Sequence, residues 1–241
     1  MKVIVIVPAA GLGTRMAPVA GATAKKHAAS KQFTELRGVP ILIHTLRKFA
    51  STNLVDEIWV PLRENEIEGF RTRLNLESDL ERKKIELVVG GEHRQQSVEQ
   101  ALNKVTASAD DIVLVHDAVR PLVTPEIILE VIDAAKKYGA AIAGIPAIDT
   151  VKQVERTSDG ALIKATIPRA QIVLAQTPQG FRYGVLKKVF DEAARDGFVG
   201  TDEASLAERS GVEVAVVMGS PRNIKITAPG DMELAEFYLG K

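Results

Sequence analysis

Cysteine is absent from the 241-residue chain. That removes disulfides, thiolate metal sites, iron–sulfur clusters and a cysteine nucleophile together. Net charge is missing as well, since 31 Lys and Arg balance 31 Asp and Glu. General binders of nucleic acid or anionic membranes draw affinity from excess positive charge, so neither partner is expected. A small anionic ligand needs only a few well-placed cations and stays open. No apolar run approaches the roughly 20 residues of a membrane helix. The start, Met1-Lys2 followed by Val3 to Val7, lacks a signal-peptide core of usual length with a small-residue cleavage site. The expectation is a cytoplasmic protein. Repeats, low-complexity tracts and domain linkers are also lacking. What remains is 46% hydrophobic and 26% charged, the balance of a folded globular chain long enough for a substantial core.

Val3 to Val7 is a continuous β-branched run, the mark of a strand buried on both faces of a parallel sheet. Further strands are expected at Glu57 to Val60, Ile85 to Val89, Ile112 to Val115, Ala141 to Ile145, Ile172 to Leu174 and Val212 to Val217. Helical spacing marks Ile41 to Phe49, the stretch opened by Thr124-Pro125, the stretch around Leu186 to Ala193, and Met232 to Leu239. Strands alternating with helices predict a doubly wound, mostly parallel α/β sheet, with ligands beyond the carboxyl ends of the strands. Val151 to Thr157 and Ala161 to Ile167 break the rhythm. They alternate around Ser158-Asp159-Gly160 as an inserted β-hairpin, either decoration or an arm reaching a partner subunit.

The first strand runs into Pro8-Ala9-Ala10-Gly11-Leu12-Gly13-Thr14-Arg15-Met16. Small residues let backbone approach a ligand, and exposed N–H groups there can cradle phosphate. Met16 occupies the place of the third glycine of a dinucleotide fingerprint, and the Gly-Lys-Ser/Thr of a P-loop is missing, so neither common motif fits. Arg15 adds a guanidinium suited to bidentate phosphate contacts. Asp117 ends an expected central strand, where a carboxylate can hold Mg²⁺; a helix cap or a salt bridge with Arg120 is the alternative. His116 and His44 read as structural. Ser97 also reads as an N-cap or first-turn residue.

The glycine loop resembles that of pyrophosphorylase-type nucleotidyltransferases, and further strings narrow the match. They are Ser30-Lys31-Gln32-Phe33, Gly90 to Val98, Val115 to Pro121, Asp149 to Lys152, Gln176 to Gln179, Thr201 to Ala204 and Asn223 to Thr227. In this order and nearly throughout the chain, they resemble the 2-C-methyl-D-erythritol 4-phosphate cytidylyltransferase family. The resemblance implies a Rossmann-like nucleotidyltransferase fold over residues 1–241, with a dimerisation arm at about 148–172. The implied activity is a CTP-dependent, pyrophosphate-releasing step of non-mevalonate isoprenoid synthesis. The implied ligands are CTP, a sugar-alcohol phosphate and Mg²⁺, and the implied partner is a second copy of the chain. A ribitol 5-phosphate or other polyol-phosphate cytidylyltransferase is the rival reading.

By the same resemblance, Arg15 and Lys31 stabilise charge on the α-phosphate, and Arg169 and Lys225 position the attacking phosphate. Ala9, Ala10, Gly11, Gly13, Gly91 and Ser97 hold the nucleotide. Asp117, Arg120, Thr150, Arg169, Thr201 and Lys225 contact the acceptor, with Asp117 also on the metal. Ala17 to Ser30 is longer than the family's usual spacing between the first two cations. The chemistry agrees with this distribution. A phosphate monoester has a second pKa of about 6 and is largely ionised at neutral pH, so it needs no general base to attack. The remaining task is to bring a dianion to a polyanion, which calls for dispersed cations and positioning.

Overall fold

The computed structural model describes residues 1–11 and 30–240. The five-residue apolar run becomes β1 (Val3–Ile6), and its two faces feed two different cores. Val3, Val5 and Val7 point to one side, where α1 (Ile41–Ala50), α2 (Glu64–Leu74) and α4 (Pro125–Tyr138) pack. Ile4 and Ile6 point to the other, against α3 (Arg94–Leu102), α5 (Tyr183–Arg195) and α6 (Glu203–Arg209). A strand covered on both faces has no use for alternation, which is why its sequence is uniformly β-branched.

Beside β1 lie β4 (Glu57–Leu62) and β6 (Ile112–Val115), with β5 (Lys84–Val89) beyond β4, all parallel to it. With β7 (Ala140–Pro146), β10 (Val173–Arg182) and β11 (Ala215–Met218) they form one seven-stranded sheet in the order β11-β7-β10-β6-β1-β4-β5. β10 alone runs antiparallel to both its neighbours. The doubly wound, mostly parallel α/β architecture expected from the alternation is therefore present. The chain leaves β1 toward β4 and later returns to β6 on its other side. The carboxyl ends of β1 and β6 thus flank a topological switch point, the place where such sheets open a ligand crevice.

Several boundaries differ from the expectations. Ile172 to Leu174 is only the beginning of a ten-residue strand, because Gln176, Thr177 and Gln179 are buried within β10 and hydrogen-bonded rather than turned to solvent. The strand expected from Val212 starts at Ala215. α2 and α3 carry few apolar residues and α6 is short, so none gave a strong 3.6-residue period. A short hairpin of β2 (Glu35–Leu36) and β3 (Val39–Pro40) precedes α1, and Pro40 is the residue that caps it. Thr124 caps α4 with Pro125 in its first turn, and Gly139 ends that helix at φ 88°, a left-handed position that suits glycine. The inserted hairpin forms as expected, from β8 (Val151–Thr157) and β9 (Gly160–Ile167), in a two-stranded sheet of its own. The C-terminal α7 (Pro229–Leu239) closes a satellite core with Leu36, Ile41, Leu122 and Ile226.

Candidate active site

Pro8, Ala9, Ala10 and Gly11, just past β1, form the floor of a cleft. Lys31 and Gln32 line one wall, Arg94 and Ser97 another, and Asp117, Ala118, Val119 and Lys225 complete it. These residues come from five separate stretches of chain. Lys31 sits on a single 3-10 turn, Lys31–Phe33, and is buried. The neighbouring Gln32 amide donates to the Ala9 carbonyl, tying that turn to the floor. Arg63 Nε donates to the Ala10 carbonyl at 3.0 Å, fixing the next peptide.

The turn between β5 and α3 brings Gly90 so close to the floor that a Cβ there would lie 2.7 Å from Ala10 Cβ and 3.0 Å from Ser97 Oγ. Only glycine fits that approach without a shift of the floor. Ser97 is the fourth residue of α3, while His93 holds the cap position; Ser97 is therefore one turn inside the helix rather than its N-cap. Its hydroxyl oxygen accepts from the Gly91 N–H at 3.2 Å and lies 3.0 Å from the His93 carbonyl. Oγ and the Gly91 backbone thus form one polar edge beside Ala9 and Ala10.

Asp117 stands two residues past the end of β6 and is the electrostatic centre. Its Oδ1 faces Arg94 Nε at 3.2 Å, and its Oδ2 faces both Lys225 Nζ at 3.0 Å and Arg120 Nε at 3.2 Å. Arg94 Nη1 also binds both carboxylate oxygens of Glu203, at 2.7 and 2.8 Å. Burial pushes the Asp117 carboxyl up, but Arg94, Lys225 and Arg120 outweigh it and hold it well below the usual carboxylate range. For Arg94, burial favours loss of the proton, yet Glu203 and Asp117 hold its pKa above the ordinary guanidinium value. Burial raises the Glu203 carboxyl, against the pull of Arg94. Three cations meet two carboxylates here, so the cluster keeps one positive charge, and Lys31 stands at the wall within electrostatic reach of Asp231. That excess lies in a partly dehydrated cleft, where electrostatics act at lower effective dielectric than in water.

His116 supports this centre without facing it. It is fully buried, packs edge-on against Phe49 with ring centroids 4.8 Å apart, and is neutral, its pKa lowered by burial to about 4. Nε2 lies 3.1 Å from the Arg120 carbonyl, which can only accept, so that nitrogen carries the proton. Nδ1 then accepts from the Thr177 hydroxyl at 3.0 Å, whose oxygen accepts the Asp117 N–H at 3.0 Å. Asn223, fully buried, donates to the Thr177 carbonyl at 2.8 Å and gives its own carbonyl to Arg120 Nη1 at 2.7 Å. The loop carrying Lys225 is thereby tied to the loop carrying Asp117. His44, expected to be structural, reaches the Leu36 carbonyl at 2.8 Å.

The cleft thus gathers Ala9, Ala10, Gly11, Lys31, Ser97, Asp117 and Lys225, with Gly91 and Arg120 directly behind them. Gly13 and Arg15 lie outside the described residues. Thr150, Arg169 and Thr201 are exposed and do not line the cleft. Arg169 stands at the foot of the arm, its Nη1 donating to the Ile148 carbonyl at 2.6 Å. The salt bridge weighed for Asp117 and Arg120 is present, and among the described residues no group of three or more His, Asp and Glu could hold a metal by itself. Two participants escaped the sequence reading. Arg94 and Glu203 are 109 residues apart, and only the fold reveals their pairing, although both stand inside strings that carried the resemblance.

Comparison with known proteins agrees with this geometry. The family model for IspD, 2-C-methyl-D-erythritol 4-phosphate cytidylyltransferase, matches residues 3–241. A protein of that name from Acidobacterium capsulatum is 58% identical over 239 residues, covering 99% of this chain and 98% of its own. Another, from Solibacter usitatus, is 50% identical over 239 residues, covering 99% and 96%. The crystal structure of the Francisella tularensis enzyme of that name superimposes with a TM-score of 0.79 at 36% identity, covering 98% of this chain and 99% of that one. Matched from its third residue to its last, the chain belongs to the 2-C-methyl-D-erythritol 4-phosphate cytidylyltransferase family.

Proposed function

We propose that the chain transfers CMP from CTP to 2-C-methyl-D-erythritol 4-phosphate, yielding 4-diphosphocytidyl-2-C-methyl-D-erythritol and pyrophosphate. The observation that carries this reading is the cationic excess around Asp117 at the switch point, faced by a floor of small residues and the Ser97–Gly91 edge. The acceptor's ionised phosphate oxygen attacks the α-phosphorus of CTP, a new P–O bond forms, and the bond to pyrophosphate breaks. Lys31, with Arg15, meets charge building on the α-phosphate. Lys225 and Arg120 draw in the attacking phosphate, which no general base needs to deprotonate. Ala9, Ala10, Gly11, Gly13, Gly91 and Ser97 receive the nucleotide, and the polar edge of Ser97 and Gly91 suits the cytosine.

The donor set fits Mg²⁺ arriving with the triphosphate. Mg²⁺ typically takes one or two carboxylates and completes its shell with water and phosphate oxygens, and among the described residues Asp117 is the carboxylate lining the cleft. When bound, it supplies charge neutralisation on the phosphate oxygens. Asp117 would hold it by exchanging one of its present cations.

We further read residues 1–241 as a single domain whose arm, about 148–172, reaches the partner of a homodimer. Ile148, Leu162 and Ile163 are 74, 60 and 64% exposed. Apolar side chains that open to water on a two-stranded arm favour a covering surface. Thr150 and Arg169 at the arm's foot, with Thr201, would then face the acceptor across the subunit boundary. The test is pyrophosphate release with each nucleoside triphosphate against methylerythritol phosphate and ribitol 5-phosphate. Release confined to CTP and methylerythritol phosphate is the expected result. Preference for ribitol 5-phosphate would move the chain to the polyol-phosphate reading.

A further inference from the structure

The three cations on Asp117 are not equivalent. Lys225 and Arg120 share one oxygen, Oδ2, and both belong to a single hydrogen-bonded unit through the Asn223 carbonyl. Among the described residues, Arg94 alone faces the other oxygen, Oδ1. Its far end is gripped by both oxygens of Glu203, a side chain only 1% exposed. Glu203 is itself pinned. Gln179, in the middle of the sheet beside Val115, donates to Asp202 at 2.7 Å and accepts the Ala204 N–H at 3.0 Å, bracketing Glu203 from both sides. Gln95 bonds the Phe198 carbonyl and the Gly200 N–H at 3.0 and 2.9 Å, joining the first turn of α3 to the chain leading into α6.

On the reaction proposed above, on which this inference rests, the incoming phosphates compete with Asp117 for its cations. We propose that Arg94, clamped by Glu203, is a positioning residue that keeps Asp117 in place while Lys225 and Arg120 turn to the acceptor phosphate. Both Glu203 oxygens hold Arg94 Nη1 and offset its charge, so the Nε and Nη1 edge stays with the two carboxylates while the substrate binds. Lysine at this position cannot serve, because an ammonium lacks the fork that spans both carboxylates.

The experiment is a double-mutant cycle between Glu203→Gln and Asp117→Asn. Pyrophosphate release is read in single turnovers with enzyme in excess and saturating CTP, Mg²⁺ and methylerythritol phosphate. Glu203→Gln is expected to slow the wild-type background by about tenfold or more, and the Asp117→Asn background by less than about twofold, because no carboxylate remains to be placed. Arg94→Lys, which leaves Glu203 a cation and so protects folding, is expected to repeat the pattern. Equal losses in both backgrounds, or no loss in the wild-type background, would overturn the assignment. A wild-type chain that releases no pyrophosphate overturns the reaction and the assignment together, whereas an active wild type with multiplicative losses overturns the assignment alone.

Discussion

A buried neutral imidazole beside a buried carboxylate gives the Asp117 loop a pH signature. The folded pKa of His116, about 4, lies below the ordinary 6.5. The unfolded chain therefore binds more protons over that window, and stability falls as pH drops from about 6.5 to about 4. The gap corresponds to about 3 kcal/mol at most. Chemical denaturation across this range should show the decline in the wild-type chain and a flatter profile in His116→Gln. Parallel profiles would contradict the neutral assignment. Lys225 offers the complementary case, because it is 38% exposed and its removal leaves Asp117 with two guanidinium partners. Lys225→Ala should lower turnover by about 100-fold, while denaturant midpoints move little; comparable losses in both would make it structural.

Residue legibility divides along the same line. Motif strings sufficed for side chains that line the cleft, such as Lys31, Ser97 and Lys225. They could not expose Arg94 and Glu203, whose meaning lies in a contact between α3 and α6.

At the scale of elements, the close approach of the turn after β5 to the loop after β1 governs the floor of the cleft. Gly90→Ala should cost about 1–3 kcal/mol, because the new Cβ collides with Ala10 and Ser97. It should weaken CTP binding as well, measured by calorimetry; unchanged affinity would mean that the floor is not the nucleotide's seat. The arm makes the opposite prediction. Leu162→Glu with Ile163→Glu should change the stability of the fold by less than about 0.5 kcal/mol, since both side chains are exposed. Light scattering should nevertheless report loss of the dimer, and a wild-type monomer would refute the arm's proposed role. The buried β-branched strands and the hairpin were readable because hydrophobic period and turn chemistry act locally. β10 was not, since its buried Gln176, Thr177 and Gln179 satisfy their polar groups through Ser220, His116 and Asp202, none of them near in sequence. α2 was hidden for a different reason. It buries only Phe70, so it has almost no apolar stripe to detect.

For the whole molecule, a chain with no net charge concentrates positive charge at one switch point. Parallel strands deliver the Pro8–Gly11 floor and Asp117 to the same edge, and the start of α3, the Lys31–Phe33 turn and the loop before α7 bring Arg94, Lys31 and Lys225 around them. The chemistry proposed for this site is a direct displacement driven by positioning, with no enzyme nucleophile in the path. Exchange of labelled pyrophosphate into CTP, with Mg²⁺ present and the acceptor omitted, tests this most directly. A direct displacement predicts no label in CTP until the cytidylylated product is supplied. Label entering CTP in the absence of acceptor and product, at a rate comparable with turnover, would reveal a covalent cytidylyl-enzyme and contradict the account.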